Sequence, residues 1–91
     1  MSQKEIRKIL EYYSSEMDEN QRFFHILGEI GKHIEKLKIL KENEDKPGHF
    51  NEEIADMYIL GKLLLENEKI SNAELENSLK HFLKKIREIY G

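Results

Sequence analysis

Apolar residues recur along this chain at the three-and-four spacing of helices, in four successive stretches. Ile6, Ile9, Leu10 and Tyr13 give residues 3–13 one apolar face. Across residues 17–43 the repeat is Phe23, Leu27, Ile30, Ile34 and Leu37, extended by Leu40 with Ile26 alongside. From about 50 to 67, Ile54, Met57, Tyr58, Leu60, Leu64 and Leu65 form a wide stripe. From about 72 to 90, Leu75, Leu79, Phe82, Ile86 and Ile89 repeat in heptad fashion.

The breaks between these stretches are polar. Ser14 and Ser15 end the first, and Ser15 followed by Asp18 resembles a capping box for the second. NEDKPGHF at 43–50 reads as a loop punctuated by Pro47-Gly48. It is short, so the second and third helices should pack antiparallel. ENEKI at 66–70 is a further turn, and Ser71 with Glu74 makes a capping box for the last helix. Gly28 and Gly31 each cost about 1 kcal/mol relative to Ala within a helix, which points to close approach of a neighbouring helix, with a tolerated loss of helix quality, a kink or room for a ligand as the other readings. The expectation is one all-α, four-helix domain over residues 1–91, with the last three helices forming most of the core.

Composition adds three constraints. A 91-residue chain has a marginal core, and without cysteine it has no disulfide to support it. A homodimer or higher homo-oligomer, formed through the bundle faces, is the expected supplement. The net charge of −3 disfavours nucleic-acid binding, which relies on excess Lys and Arg. No apolar run approaches the roughly 20 residues that span a bilayer, and MSQKEIRKILEYY lacks a signal-peptide core. No membrane association and a cytoplasmic location are therefore expected.

The third helix has an unusual entry. Glu53 and Asp56, three residues apart, share a face that runs on into Leu60 and Leu63. On the second helix His25, Glu29 and His33 follow at i, i+4 and i+8, and Lys32 lies three residues from Glu29. An antiparallel hairpin would let Glu29 face Glu53 and Asp56. The residues alone leave two readings open. The acids are helix-start charges and ion-pair partners, with Glu52 and Glu53 favoured near a positive helix end. Alternatively they hold a cation, with His33 as an added ligand. A set of Glu29, His33, Glu53 and Asp56 suits Mn²⁺, Fe²⁺ or Zn²⁺ better than Mg²⁺.

GEIGK at 28–32, followed by a loop and by EEIAD at 52–56, resembles the MazG-like family of all-α nucleoside triphosphate pyrophosphohydrolases. That family's pattern is EExxE on one helix and ExxD on the next. The resemblance covers most of the chain, including the apolar run after EEIAD and the Lys-rich final helix. It implies a nucleotide (NTP or dNTP) substrate, hydrolysis to a monophosphate and pyrophosphate, and Mg²⁺ or Mn²⁺ held by carboxylates. Position by position, Glu29 matches the second Glu of EExxE, and Glu53 and Asp56 match the ends of ExxD. The chain departs from the pattern twice. Gly28 stands in place of the first Glu. Lys32 stands in place of the third, normally a metal ligand. An ammonium about 4 Å from a divalent cation is repelled by several kcal/mol even at an effective dielectric near 20. Lys32 would then act as internal counter-ion, and hydrolysis would be weak or lost. The alternative function is a non-catalytic nucleotide-binding or protein-interaction module.

Lys32 and Lys36 are the substrate-binding candidates. Lys36, Lys38 and Lys41 read either as phosphate contacts or as a solvated face. Phe23, Phe24, Tyr58 and Phe82 read as core residues, with base stacking as the other possibility. No catalytic residue stands out, and no Gly-rich phosphate loop or zinc-type Cys/His spacing is present.

Overall fold

The computed structural model describes residues 2–43 and 47–91. These form four helices and, among the described residues, no strand: α1 (Gln3–Ser14), α2 (Glu19–Asn43), α3 (Pro47–Asn67) and α4 (Asn72–Tyr90). No described helix is long and apolar enough to cross a membrane. The all-α, four-helix expectation therefore matches the structure.

The helix starts follow from side-chain chemistry. Ser2 caps α1, with its hydroxyl accepting from the Glu5 N–H and the Glu5 carboxylate accepting from the Ser2 N–H. Ser71 and Glu74 form the same reciprocal box on α4, as expected. At α2 the cap is Asp18. Its Oδ1 accepts from the Gln21 N–H at 2.8 Å, and Gln21 Oε1 accepts from the Asp18 N–H at 2.9 Å. Ser15 instead donates to the Tyr12 carbonyl and closes α1, so it is no part of the α2 cap. The expected loop at 43–50 is shorter than read, because α3 already begins at Pro47. Proline suits a first helical position, where its fixed φ is helical and its missing N–H has no partner to lose. Residues 44–46 of that loop lie outside the described residues.

The core belongs to α1, α2 and α3. Ile6, Ile26, Leu60 and Leu63 are buried, with Ile9, Leu10, Tyr13, Ile30, Ile59 and Leu64 packed around them. The expectation that the last three helices make the core is thus corrected. Among the described residues α4 meets the other helices only at its root, whereas α2 and α3 form the main contact and α1 lies against both. Two of the sequence-read stripes are also rotated. Ile54 and Tyr58 on α3, and Leu27 and Ile34 on α2, are exposed. The face that turns inward on α3 is the one carrying Glu53, Asp56, Leu60 and Leu63.

Polar contacts tie the helix ends together. Asn67 is buried at the end of α3. Its Oδ1 accepts from Arg22 Nε at 2.7 Å, and its Nδ2 donates to the Glu19 carbonyl and the Glu68 carboxylate. Arg22 also donates to the Met17 carbonyl. Glu66 accepts from Arg7 Nε at 2.8 Å and from the Gln3 amide, which holds α1 to the far end of α3.

Candidate metal centre on the α2–α3 hairpin

His33 lies on the inward stripe of α2, one turn from Ile30 and Leu37, and its side chain is only 14% exposed. Its Nδ1 sits 2.8 Å from the Glu29 carbonyl oxygen. A carbonyl only accepts, so Nδ1 carries a proton and donates to it. That fixes the ring's orientation and leaves Nε2 facing α3. Two carboxylates meet it there: Glu53 Oε2 at 3.2 Å and Asp56 Oδ2 at 3.3 Å.

Such an arrangement is unstable without a positive charge. In the neutral tautomer the Nε2 lone pair would point at two anions. A proton on Nε2 relieves this, and the His33 pKa is raised above its ordinary 6.5. The hydrogen bond to the Glu29 carbonyl is the largest cause. Asp56 as acceptor and the charges of Glu53 and Asp56 add to it, while burial opposes. One N–H cannot satisfy both acids, however. It bonds Asp56. Glu53 Oε2, buried from solvent, has no hydrogen-bond donor. Its 3.2 Å approach to Nε2 is purely electrostatic. The other Glu53 oxygen lies 3.7 Å from Lys36 Nζ.

One ligand atom each from His33, Glu53 and Asp56 lies within 4.8 Å of the other two. Around an ion with bonds of about 2.1 Å, adjacent ligand atoms are roughly 3 Å apart. The donor set is one imidazole nitrogen and two carboxylates, with the imidazole already oriented by a backbone carbonyl on its far nitrogen. That is the usual outer-shell support of a ligating histidine. An orphaned buried carboxylate oxygen within such a set fits a divalent cation.

The other sequence candidates fall as follows. Glu29 lines one hollow of about 220 Å³ with Tyr13, His33, Asp56, Ile59 and Leu60. Its carboxylate is 3.4 Å from Lys32 Nζ, and the Lys32 side chain is 73% exposed. Lys32 therefore reaches Glu29 but forms no ion pair with Glu53 or Asp56; His33 takes the position between the acids. Lys36, with Ile39, Leu40, His49, Glu52 and Glu53, lines a second cavity of about 360 Å³. Glu53 borders the second hollow, and His33 and Asp56 border the first. His25 packs edge-on against Tyr13, with ring centroids 5.1 Å apart. Lys38 pairs with Glu35, and Lys41 sits over the Phe50 ring. The central position of His33 had a signal in the sequence: Ile26, Ile30, His33 and Leu37 run at spacings of 4, 3 and 4.

No family model matches the chain, and no curated protein and no solved structure matches it at a significant level.

Proposed function

We propose that the α2–α3 hairpin binds a divalent cation through His33, Glu53 and Asp56 and uses it to hold a nucleoside triphosphate. The single observation that carries the reading is the buried, donor-less Glu53 Oε2 facing the same point as His33 Nε2 and Asp56 Oδ2. The imidazole in the set favours Mn²⁺, Fe²⁺ or Zn²⁺ over Mg²⁺.

When bound, the ion supplies a Lewis acid that neutralises charge on phosphoryl oxygens. The chain's own groups do the rest. His33 is held rigid by the Glu29 carbonyl. Lys36, which lines the second cavity and lies 3.7 Å from Glu53, pairs with a phosphate in exchange for Glu53 in this reading. The apolar wall of Ile39 and Leu40 offers a surface to the rest of the nucleotide. The MazG-like resemblance of GEIGK and EEIAD supplies the reaction class, release of pyrophosphate to leave a monophosphate. The homodimer expected from the sequence is proposed as well, on grounds that do not depend on the cation.

The Lys32–Glu29 ion pair favours a second reading, in which the nucleotide is bound and not hydrolysed. A carboxylate engaged by an ammonium is less available to orient water.

Thermal-shift measurements with a nucleotide panel, each with and without Mn²⁺, test binding. The expected result is stabilisation that needs both components. No shift with any triphosphate would overturn it. A pyrophosphate-release assay then separates the two readings: turnover supports the enzyme, and metal-dependent binding without turnover supports the binder.

A further inference from the structure

Helix α4 carries a seam that its own chain leaves uncovered. Leu79, Phe82 and Ile89 are 67%, 66% and 69% exposed, with Leu83 and Ile86 beside them. Their 4-3-4-3 spacing from Leu75 is that of a helix built to pack along its length against another. Only the root of α4 touches the body, where Leu75 borders a small hollow with Gln3, Leu65 and Ile70. Beyond Leu75 every residue of α4 is exposed.

The body has a matching open side. Helix α1 packs on one side of the α2–α3 hairpin. On α2, Leu27 and Ile34 each lie about 100° of helical rotation past a core position, Ile26 and His33. On the antiparallel α3, Met57, Ile54 and Gly61 are rotated in the matching sense. The rotations bring these residues to the same side of the hairpin, opposite α1. Of these, Leu27, Ile34 and Ile54 are exposed. A Cβ built on Gly28, Gly31 or Gly61 would meet nothing within 4 Å, so the close helix approach expected at Gly28 and Gly31 is not made by the described residues of the chain itself. A bundle of three helices plus one open seat needs a fourth helix, and the chain's own α4 is elsewhere.

The surface area says how much is missing. The chain exposes 7462 Å². A compact monomer of 10.9 kDa exposes about 5,600 Å². The excess is roughly 1,900 Å² per chain, which for two chains falls within the 2,000–5,000 Å² buried by obligate homodimers. The radius of gyration agrees, at 15.8 Å against about 12 Å for a compact chain of this length. Charge agrees as well. Residues 79–87 hold Lys80, Lys84, Lys85 and Arg87 with no acid, and a chain total of −3 leaves −7 for the remainder.

We propose that two copies of this chain exchange their α4 helices, each laying its Leu79–Phe82–Ile86–Ile89 seam into the open side of its partner's α2–α3 hairpin. Each body thereby gains its fourth helix. The exchange concerns the side of the hairpin away from α1 and stands independently of any ligand.

Sedimentation at about 10 µM should give twice the 10.9 kDa chain mass; a single-chain mass would overturn the proposal. Phe82→Asp should weaken the dimer at least tenfold, and an unchanged dissociation constant would count against it. Because the chain has no cysteine, cross-linking tests the arrangement without relying on a folded variant of lower stability. Phe82→Cys chains mixed with Ile34→Cys chains should give a disulfide between unlike chains on mild oxidation. Cross-links formed only between Phe82→Cys chains, or none, would overturn the exchange.

Discussion

His33 Nε2 stands 3.3 Å from Asp56 Oδ2 while its other ring nitrogen is fixed on the Glu29 carbonyl 2.8 Å away. Helix α2 thus sets the tautomer, and helix α3 sets what the free nitrogen meets. Because Glu53 shares that nitrogen at 3.2 Å, the pair is embedded in an excess of negative charge.

The pH dependence of the ligand-free protein follows from that charge. A raised folded-state pKa means that His33 contributes stability fully below about pH 6.5, its unfolded value. That contribution is lost as pH rises through the folded pKa. Glu5 and Glu74, whose pKa values are lowered from 4.5 mainly by hydrogen bonds from the Ser2 and Ser71 backbones, act on the acid side. Their contribution is present above pH 4.5 and lost as pH falls through the folded values. Chemical denaturation across pH should therefore peak between about 4.5 and 6.5. His33→Asn should abolish the decline on the alkaline side; a decline that persists in the variant would assign it to another group.

Asn67 is the polar latch between the start of α2 and the end of α3. Asn67→Ala leaves Arg22 Nε and the Glu19 carbonyl without their partner in a half-buried place. The expected loss is about 2 kcal/mol. In a domain of this size that lowers Tm by roughly 10 °C. A change under about 2 °C would show that water replaces the amide.

In the dissociated single chain α4 packs along no other helix, so there it depends on its own cap more than a packed helix does. Ser71→Ala removes the hydroxyl that accepts from the Glu74 N–H. A loss of about 1 kcal/mol is expected for α4. Circular dichroism at 222 nm should show reduced helicity with the α1–α3 packing retained; unchanged helicity would contradict the cap's role.

Lys32 pairs with Glu29, which lines the hollow beside His33 and Asp56, so its charge acts through Glu29. Lys32→Glu replaces a cation with an anion close to the acids and frees the Glu29 carboxylate. Divalent-metal affinity should rise about three- to tenfold, less at high salt. An unchanged affinity would place Lys32 outside the electrostatic reach of the site.

Much of the fold was legible because helices announce themselves by spacing. The α4 boundaries and the Ser71–Glu74 box came directly from residue types, as did the α1 face of Ile6, Ile9, Leu10 and Tyr13. What failed was the direction each stripe faces. On α2, the chain Phe23–Leu27–Ile30–Ile34–Leu37 and the chain Ile26–Ile30–His33–Leu37 are both helical, and hydrophobicity favours the first. Burial selected the second, because Arg22 and His33 find polar partners inside. On α4 the heptad seam states that a helix wants a partner and not where that partner lies, so its spacing alone points to the core. In the site, Glu53 and Asp56 were legible from their shared face. That His33, and not Lys32, occupies the place between them depends on about 100° of helix rotation.

A calorimetric titration of Mn²⁺ into the protein at pH 7.5, beside the same titration with Mg²⁺ and with the Glu53→Gln and His33→Asn variants, addresses the metal centre most directly. The expected result is one ion per chain, Mn²⁺ bound more tightly than Mg²⁺, proton release on binding, and at least a tenfold loss of affinity in each variant. Absence of a binding isotherm, or an isotherm that both variants leave unchanged, would contradict it.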